Sequence, residues 1–253
     1  TMSRRFLRTA EVAAAVGVHP NTVRMYEAWG LLQEIPRTPA GYRQFTQAHV
    51  DQMRLARKAY EGQWPGRPIH QAAVAVVKQS ASGDFGGALE GAYGLLSVIQ
   101  GEQAEAENAI LFLQRWVSGT AADGTSRTLR IGDAASLLGV TTDVLRNWER
   151  DGLVRVPRDS HNRYRRYGAV EIGRLRVIRM LRRAGYSTMA ILRMLLALDE
   201  GGTADLRQAL DTPRPDEDAY SAADRWLSAL AEWEQRAHAM IALLEAMITT
   251  QRA

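Results

Sequence analysis

Arginines flanked by aromatic residues recur in two stretches of the chain, and side chains of these types can bind nucleic acid. The first stretch carries Arg37, Tyr42 and Arg43. The second is more basic and carries five such residues: Arg158, Arg163, Tyr164, Arg165 and Arg166. Guanidinium groups pair with phosphate oxygens, and neutralising a phosphate releases condensed counterions. Both stretches are therefore predicted to contact phosphates or to enter a minor groove.

A longer phrase that occurs twice must position these side chains. The phrase reads Gly-Val, five residues, Arg, one residue, aromatic-Glu, two residues, Gly-Leu. It begins at Gly17 and again 122 residues later at Gly139, and each copy is followed by one of the Tyr-Arg steps. The chain therefore holds two copies of one small module, as a protein that reads a two-part target would.

Each phrase predicts two short helices around a tight turn. In the first copy, a helix ends at Gly17, and a second helix begins near Pro20 and ends at Gly30, since proline suits a first helical position and glycine a helix end. In the second copy the turn contains Gly139, with Thr141 or Thr142 as the cap. Helix, glycine-containing turn and helix is the pattern of a helix-turn-helix.

The first turn of the second helix in each copy would face base edges, because recognition helices read with their N-terminal residues. These residues are Pro20, Asn21, Thr142 and Asp143. Asn21 could pair with adenine, and Asp143 could accept a hydrogen bond from cytosine. Helix capping explains both residues equally well. Tyr26 and Trp148 are predicted to pack in the core.

Strand-like pairs enclosing a basic wing follow each helix-turn-helix. The wings comprise residues 36–43 and 157–166. Helices are predicted after them at about 46–62 and 68–79, and again at about 168–184 and 187–198. Ser187 is the expected N-cap of the last of these.

Two long segments with apolar residues at heptad spacing follow the modules. The first has Leu89, Ala92, Leu96, Ile99, Ala106, Ile110, Leu113 and Val117 around Gln103. The second, at an offset of 131, has Tyr220, Ala223, Leu227, Leu230, Ala237, Ile241, Leu244 and Ile248 around Glu234. This spacing predicts a coiled coil of about 29 residues, roughly 43 Å long. Gln103 and Glu234 are predicted to oppose each other and to fix the register.

The intervening segments set the expected domain boundaries. We predict a first head at 1–83, a long helix at 84–117, a linker at 118–127, a second head at 128–199, an acidic loop at 200–218 and a second long helix at 219–253. A linker of roughly ten residues spans at most about 36 Å, too short to run back along a 43 Å helix. Its length favours antiparallel pairing of the two long helices within one chain.

Charge and composition narrow the class of protein. Residues 1–70 carry a net charge of +5 and residues 127–185 of +8, whereas residues 84–117 carry −4 and residues 199–253 carry −6. Positive charge thus coincides with the modules, as expected for surfaces that neutralise phosphates. Cysteine is absent, which excludes disulfides and thiolate metal sites and fits a reducing cytoplasm. No apolar run is long enough to cross a membrane.

No catalytic constellation or phosphate-binding glycine loop is present, so we expect neither enzymatic activity nor a cofactor. The five histidines are scattered without ligand spacing, so no metal site is expected. Since the second long segment closes the sequence, we expect no separate ligand-binding domain and no indicated small-molecule effector. Six aromatic residues near the long helices could still line a drug pocket, although helical spacing of aromatics more often means core packing. They are Tyr93, Phe112, Trp116, Tyr220, Trp226 and Trp233.

The repeated phrase, the aromatic-arginine wing and the terminal long helix together resemble the MerR family of bacterial transcription regulators. The resemblance covers nearly the whole chain, twice. It implies a mainly α fold with two winged helix-turn-helix heads, each followed by a long helix, the two long helices pairing as an antiparallel coiled coil. It also implies that Arg24 and Arg146 contact the DNA groove and phosphates. The family's usual DNA-contacting tyrosine is replaced by Met25 and Asn147, a departure that weakens the transfer of that contact.

Family members are usually homodimers, and this chain resembles such a dimer fused into one polypeptide. The resemblance implies binding of double-stranded promoter DNA, distortion of a spacer and cooperation with RNA polymerase. Because the two copies differ at Asn21 and Asp143, we expect an imperfectly palindromic operator read by a monomeric chain. Two alternatives are an architectural or excisionase-type DNA-bending protein and a protein that sequesters a small-molecule drug. Further dimerisation of the chain, giving four heads, also stays open.

Overall fold

The computed structural model describes residues 6–62, 67–119, 127–201, 205–213 and 222–252. The chain folds into two compact units. The first unit contains residues 1–100 together with 231–253, and the second contains residues 101–230. Each unit therefore combines one head with parts of both long helices.

The first head has four helices, and their bounds lie close to the predicted ones. They are α1 (Thr9–Val16), α2 (Pro20–Ala28), α3 (Gln47–Tyr60) and α4 (Arg67–Ala81). Gly17 ends α1 in the left-handed conformation, with φ of +69°, which a residue without Cβ adopts readily. The buried side chains of α1 and α2 include Val12, Val23 and Tyr26, so one face of each helix packs into the core of the head.

The second head repeats this order. Its helices are α6 (Ile131–Leu138), α7 (Thr142–Arg150), α8 (Ala169–Arg183) and α9 (Thr188–Asp199). Gly139 repeats the left-handed turn with φ of +61°. Ser187 caps α9 as predicted, its hydroxyl accepting the backbone N–H of Ala190 at 2.9 Å. The second head then adds a short helix α10 (Leu206–Asp211), which packs on α9.

A buried arginine fastens this added segment to the second head. Arg193 lies on α9 and is 4% exposed. Its guanidinium donates to the carbonyl oxygens of Ala209 at 2.6 Å, Leu210 at 3.2 Å and Asp224 at 3.1 Å. Hydrogen bonds to several carbonyls offset the cost of burying the charge. The described residues 205–213 of the insertion thus pack as part of the second unit.

Minimal β pairing forms each wing and ties it to the start of its head. In the first head Arg37 pairs with Arg43 and Leu7 with Phe45, both antiparallel. In the second head the corresponding pairs are Arg158 with Arg165 and Leu129 with Tyr167. Each wing is therefore a hairpin anchored beside α1 or α6.

The long helices are α5 (Phe85–Val117) and α11 (Trp226–Arg252). In the first unit the Nε2 of Gln100 donates to Glu234 at 3.0 Å, and the Tyr93 hydroxyl donates to Glu245 at 3.3 Å. The residue nearer the N-terminus of α5 meets the residue nearer the C-terminus of α11, so the helices run antiparallel. The predicted fold class is therefore confirmed.

One column of the predicted heptad pattern is shifted by one residue at four positions of the long helices, whereas Ile110, Leu227 and Ile241 of that column are buried as predicted. Ala92, Ile99, Ala237 and Leu244 are buried as predicted. However, Ala88 and Leu95 are buried in place of Leu89 and Leu96, and Trp233 and Met247 in place of Glu234 and Ile248. The predicted and the observed columns both follow a spacing of alternately three and four residues, because both neighbouring residues are apolar at most of these positions. The rotation of the helix against its partners decides between them.

Some sequence-based expectations fall on parts of the chain that are not described. The linker residues 120–126, parts of the acidic loop at 202–204 and 214–218, and Tyr220 lie outside the described residues. The second long helix begins at Trp226, after a 3-10 turn at Ala222–Arg225, and so starts later than the predicted residue 219. Among the described helices none is long and apolar enough to cross a membrane.

Candidate nucleic-acid interface

The second helix of each helix-turn-helix presents one exposed polar face. On α2 this face carries Asn21, Arg24 and Met25, while Tyr26 is buried with only 5% exposure. On α7 the corresponding face carries Asp143, Arg146, Asn147 and Arg150, while Trp148 is buried with 9% exposure. Core packing of Tyr26 and Trp148 is thus confirmed.

Neither Asn21 nor Asp143 caps its helix. The cap of α2 is His19, whose Nδ1 accepts the backbone N–H of Asn21 at 3.2 Å. The cap of α7 is Thr141, whose hydroxyl accepts the backbone N–H of Val144 at 3.3 Å, while Thr142 is the first helical residue. The capping interpretation of Asn21 and Asp143 is therefore wrong, and both side chains stand on the exposed face.

Both of these side chains instead hold an arginine one turn further along the helix. The Nη1 of Arg24 donates to Oδ1 of Asn21 at 3.1 Å. The Nη1 of Arg146 donates to Oδ1 of Asp143 at 2.6 Å. Such i, i+3 pairs lie on the same helix face and restrict the rotamers of the arginine. The two pairs share one geometry but differ by one negative charge, that of Asp143.

The glutamate of the repeated phrase ties each wing to its recognition helix. In the first head Glu27 pairs with Nε of Arg43 at 2.6 Å and with Nη2 of Arg37 at 3.1 Å. Tyr42, at the tip of that wing, remains 74% exposed. Two of the three predicted contact residues of this wing are thus held by one carboxylate, whereas the tyrosine faces solvent.

The second wing repeats this arrangement around Glu149. Its carboxylate pairs with Nε of Arg165 at 2.5 Å and with Nη2 of Arg158 at 3.8 Å. Tyr164 is 61% exposed, and the Arg130 guanidinium lies 5.8 Å from the centre of its ring. A cation at this distance from a ring face is attracted by the ring quadrupole.

An aspartate organises the longer tip of the second wing. Asp159 Oδ1 accepts the backbone N–H groups of His161 at 3.0 Å and Asn162 at 3.3 Å. Its other oxygen pairs with Arg166 at 3.0 Å. These two backbone hydrogen bonds, aided by Arg166, hold the pKa of the Asp159 carboxyl below its usual value. The carboxylate is thus kept ionised inside a strongly basic wing.

Arg163 takes a backbone conformation that the first wing assigns to glycine. Its φ is +62°, and it is the one non-glycine residue with positive φ in the described part of the chain. The corresponding residue of the first wing, 122 positions earlier, is Gly41 with φ of +83°. A side chain costs free energy in this region, so the second wing keeps a charge at the expense of local stability.

Five of the eight residues predicted for the second head line one groove of about 660 Å³, whereas Thr142, Asp143 and Arg166 lie outside its lining. The lining includes Arg146 of α7 and four residues of the wing, namely Arg158, Arg163, Tyr164 and Arg165. Arg130, Ile131, Gly132 and Asp133 form the opposite side. Five guanidinium groups therefore surround a space next to an exposed recognition helix, a suitable environment for phosphate oxygens.

Sequence reasoning missed three residues of these sites. Glu27 and Glu149 were read only as parts of the repeated phrase, and Arg130 was not singled out. A signal was available, because Glu27 and Arg43 recur together as Glu149 and Arg165 at the same 122-residue offset. Oppositely charged residues duplicated as a pair indicate a contact within the module.

Three of the six aromatic residues suggested for a drug pocket, Trp116, Trp226 and Trp233, have packing roles. Tyr93 is 50% exposed, Phe112 is half-buried, and Tyr220 lies outside the described residues. Trp233 and Trp226 are 0% and 7% exposed. In the second unit a Cβ built on Gly173 would lie 2.5 Å from Trp116, and one built on Gly185 would lie 2.4 Å from Trp226. These glycines let α8 and the α8–α9 turn approach the indole rings closely.

Glu234, one member of the predicted polar pair of the coiled coil, lies beside the buried seam. Trp233, fully buried, takes the core position assigned to Glu234, and Glu234 lies half-exposed beside the seam. Gln103 belongs to the second unit and Glu234 to the first. Their mutual contact stays a prediction.

Comparison with known proteins identifies the modules. The family model described as MerR HTH family regulatory protein matches residues 7–63 and 129–198, which together make up half of the chain. Each match spans one helix-turn-helix with its wing. The chain belongs to the MerR family. Tandem MerR heads account for the 122-residue repeat, and the family supports DNA-binding transcription regulation.

Each of three curated relatives matches less than a third of the chain. A probable heavy metal-dependent transcriptional regulator of Haemophilus influenzae is 35% identical over 71 residues, which are 28% of this chain and 56% of the relative. A mercuric resistance operon regulatory protein of Shigella flexneri is 36% identical over 73 residues, which are 29% of this chain and 50% of the relative. A mercuric resistance operon regulatory protein of Bacillus cereus is 39% identical over 54 residues, which are 21% of this chain and 41% of the relative. The chain thus spans about half the length of these MerR relatives.

No solved structure was found to match the chain. Among the described residues, no group of three or more histidine, aspartate or glutamate side chains is placed to hold a metal ion.

Proposed function

We propose that the chain is a transcription regulator that binds a promoter operator as a single-chain pseudo-dimer. The observation that carries the proposal is the presence of two MerR heads in one polypeptide, with α5 and α11 antiparallel in the first unit. A homodimer would need a second chain to supply the second head. Here the sequence itself supplies it.

The proposed DNA contacts are those predicted from the sequence. The recognition helices supply Pro20, Asn21, Arg24, Thr142, Asp143 and Arg146. The wings supply Arg37, Tyr42, Arg43, Arg158, Arg163, Tyr164, Arg165 and Arg166. Exposure of Tyr42 and Tyr164 and convergence of five arginines on the second-head groove support these assignments. The glutamates that hold the wing arginines set their direction towards the duplex.

The proposed operator is imperfectly palindromic. A homodimer presents identical readers, whereas this chain offers Asn21 with Arg24 on one helix and Asp143 with Arg146 on the other. The second wing is also more basic than the first. An amide side chain pairs with the edge of adenine, whereas a carboxylate accepts from cytosine, so the two half-sites are expected to differ.

The proposed mode of action is distortion of the spacer DNA between promoter elements so that RNA polymerase engages both. Bending a site of 20–30 base pairs costs on the order of 1–6 kcal/mol, which phosphate contacts by two heads can offset. Circular-permutation mobility assays on the operator test this step. Equal mobility of all permuted fragments would refute distortion and leave simple binding.

The pseudo-dimer is tested by stoichiometry and by matched variants. Light scattering of the complex should give one chain per duplex. R24A should abolish sensitivity to base changes in one half-site, and R146A should do so in the other half-site. Two chains per duplex, or loss of sensitivity in the same half-site for both variants, would overturn the proposal.

A further inference from the structure

The second unit contains an open groove between the long helix α5 and the second head. Its volume is about 830 Å³, within the range of roughly 300–1,000 Å³ typical of small-molecule sites. One wall is the C-terminal part of α5, with Glu102, Glu105 and Phe112. The other is formed by α8 and the end of α6.

The internal repeat provides a direct comparison for this groove. The heads correspond at an offset of 122 residues, so Met180 corresponds to Lys58 and Arg183 to Glu61. The long helices correspond at an offset of 131, so Glu105 corresponds to Arg236. These three counterparts line the equivalent joint of the first unit, where the remaining space is only about 330 Å³. The same joint therefore leaves a smaller space in the first unit and a larger one in the second.

Arg236 fills the joint in the first unit. Its guanidinium donates to the backbone carbonyl of Glu61, lies 4.9 Å from the centre of the Trp233 ring and approaches Glu232 at 3.5 Å. Lys58 pairs with the Glu61 carboxylate at 3.2 Å. The side chains of α3 and α11 thus join the first head to its long helix without any added molecule.

The open joint lacks this closure. Glu105 stands at the position of Arg236, and Met180 and Arg183 stand at the positions of the Lys58–Glu61 ion pair. Within the part of the chain that the structure describes, no ion pair joins Glu105 to Arg183. Exposed apolar surface also borders the groove, since Leu111 and Leu137 are 49% and 48% exposed.

The lining indicates the chemistry of an occupant. Four arginines line the groove, namely Arg115, Arg176, Arg179 and Arg183, against two glutamates. Apolar atoms of Leu111, Phe112, Leu137 and Met180 lie between them. An organic anion with an aromatic body satisfies both features, because its ring would cover apolar surface while its acidic group pairs with guanidinium.

We propose that this groove binds an aromatic carboxylate or sulfonate, which joins α5 to the second head as Arg236 joins α11 to the first. Its effect on DNA binding rests on the proposed function, since a ligand that holds the second head would change its presentation to the operator. Binding itself does not depend on that function.

The test uses the full-length chain and 8-anilinonaphthalene-1-sulfonate, a fluorescent aromatic sulfonate, followed by titration calorimetry. We expect saturable binding of one molecule per chain. The triple variant E105R/M180K/R183E transplants the closed joint into the second unit, and it should weaken binding at least tenfold while keeping the wild-type circular dichroism and Tm. Binding by the folded triple variant as tight as by wild type would overturn the proposal.

A smaller substitution guards against misfolding of the triple variant. L137E places a carboxylate at an already exposed position of the groove and should weaken binding of the sulfonate at least tenfold. The matched control A15E changes the corresponding position of the first head and should leave binding within twofold. Equal effects of L137E and A15E, or equally tight binding of the cationic dye rhodamine 6G, would contradict the site. Sulfonate binding by a chain that fails to bind operator DNA would contradict the proposed function but not the proposed site.

Discussion

Glu27 accepts a hydrogen bond from Nε of Arg43 at 2.6 Å, which fixes the first wing to the recognition helix that precedes it. Glu149 and Arg165 repeat the contact at 2.5 Å in the second head. The side chains involved are only 20–29% exposed, so these pairs lie partly outside bulk water. A partly buried, charge-assisted hydrogen bond restricts orientation as well as adding energy. These contacts therefore hold the wing and the second helix of each helix-turn-helix in a fixed relative orientation.

Removing this carboxylate should weaken DNA binding even though the net charge becomes more positive. E149Q leaves Arg165 and Arg158 without their anionic partner, and the wing arginines lose their fixed direction. We expect affinity for the operator to fall about tenfold, equivalent to about 1.4 kcal/mol. Fluorescence anisotropy at constant salt measures the effect.

Two variants serve as controls for E149Q. E27Q should cause a comparable loss through the first head. E200Q removes an exposed carboxylate at the end of α9 and should change affinity less than twofold. An affinity of E149Q equal to that of E200Q would show that the wing needs no anchor.

Asp143 should set both the charge and the base preference of the second recognition helix. D143N gives this helix the amide that the first helix carries at Asn21, and it removes a negative charge that partly neutralises Arg146. We expect tighter binding to a scrambled duplex by a few-fold, since phosphate attraction is independent of sequence. Preference for cytosine at one position should be lost at the same time.

Systematic base substitution in the operator measures this change for wild type and D143N. D151N removes a neighbouring exposed carboxylate and should alter neither preference nor the ratio of specific to scrambled affinity. Unchanged preference in D143N would mean that Asp143 reads no base.

Arg163 should show a trade-off between stability and phosphate binding. R163G relieves the positive-φ conformation and should raise the free energy of unfolding of the second head by about 1 kcal/mol. It should also make the negative slope of log affinity against log salt shallower by about 0.9, the value for one phosphate contact. Urea denaturation and salt titrations give the two numbers. The reciprocal change G41A should destabilise the first head, and a stabilising G41A would contradict the strain argument.

His49 should make the first head sensitive to acid. Burial lowers its pKa, and the neutral Nδ1 accepts the backbone N–H of Thr46 at 2.9 Å. The neutral form is the one that stabilises the fold. This contribution is fully present above the usual histidine pKa of about 6.5 and is lost as pH falls through the lowered folded value.

A natural substitution tests this sensitivity. In the second head the same position is Glu171, whose Oε2 accepts the backbone N–H of Gly168 at 2.8 Å. H49E should therefore reduce the loss of stability between pH 7.5 and pH 5.5, and E171H should create one in the second head. Burial also lowers the pKa of His70, so some acid sensitivity should remain in H49E. Identical pH profiles for wild type and H49E would refute the assignment.

The register of the coiled coil should be visible in two adjacent substitutions. W233A removes a fully buried side chain and should cost about 3–5 kcal/mol. E234L alters a half-exposed residue bonded to Gln100 and should change stability by less than about 1 kcal/mol. Chemical denaturation of both variants distinguishes the observed seam from the predicted one, in which position 234 would carry the larger cost.

Local sequence rules were sufficient for the elements of the heads. Gly17 and Gly139 end their helices in the left-handed conformation, Ser187 caps α9, and the buried Tyr26 and Trp148 follow from helical periodicity. Each of these features depends on neighbours within a few residues. The 122-residue repeat then fixed the helix-turn-helix order twice, because one physical solution serves both copies.

The sequence alone thus determined the helices, the turns, the basic wings and the duplication, since periodicity and capping act over short distances along the chain. Only the tertiary structure decided which heptad column is buried and that Glu27 and Glu149 hold the wings. It also decided that one joint is filled by Arg236 while its counterpart is an open groove. These outcomes depend on helix rotation and on side chains that meet across tens to hundreds of residues, and several arrangements satisfy the same local pattern.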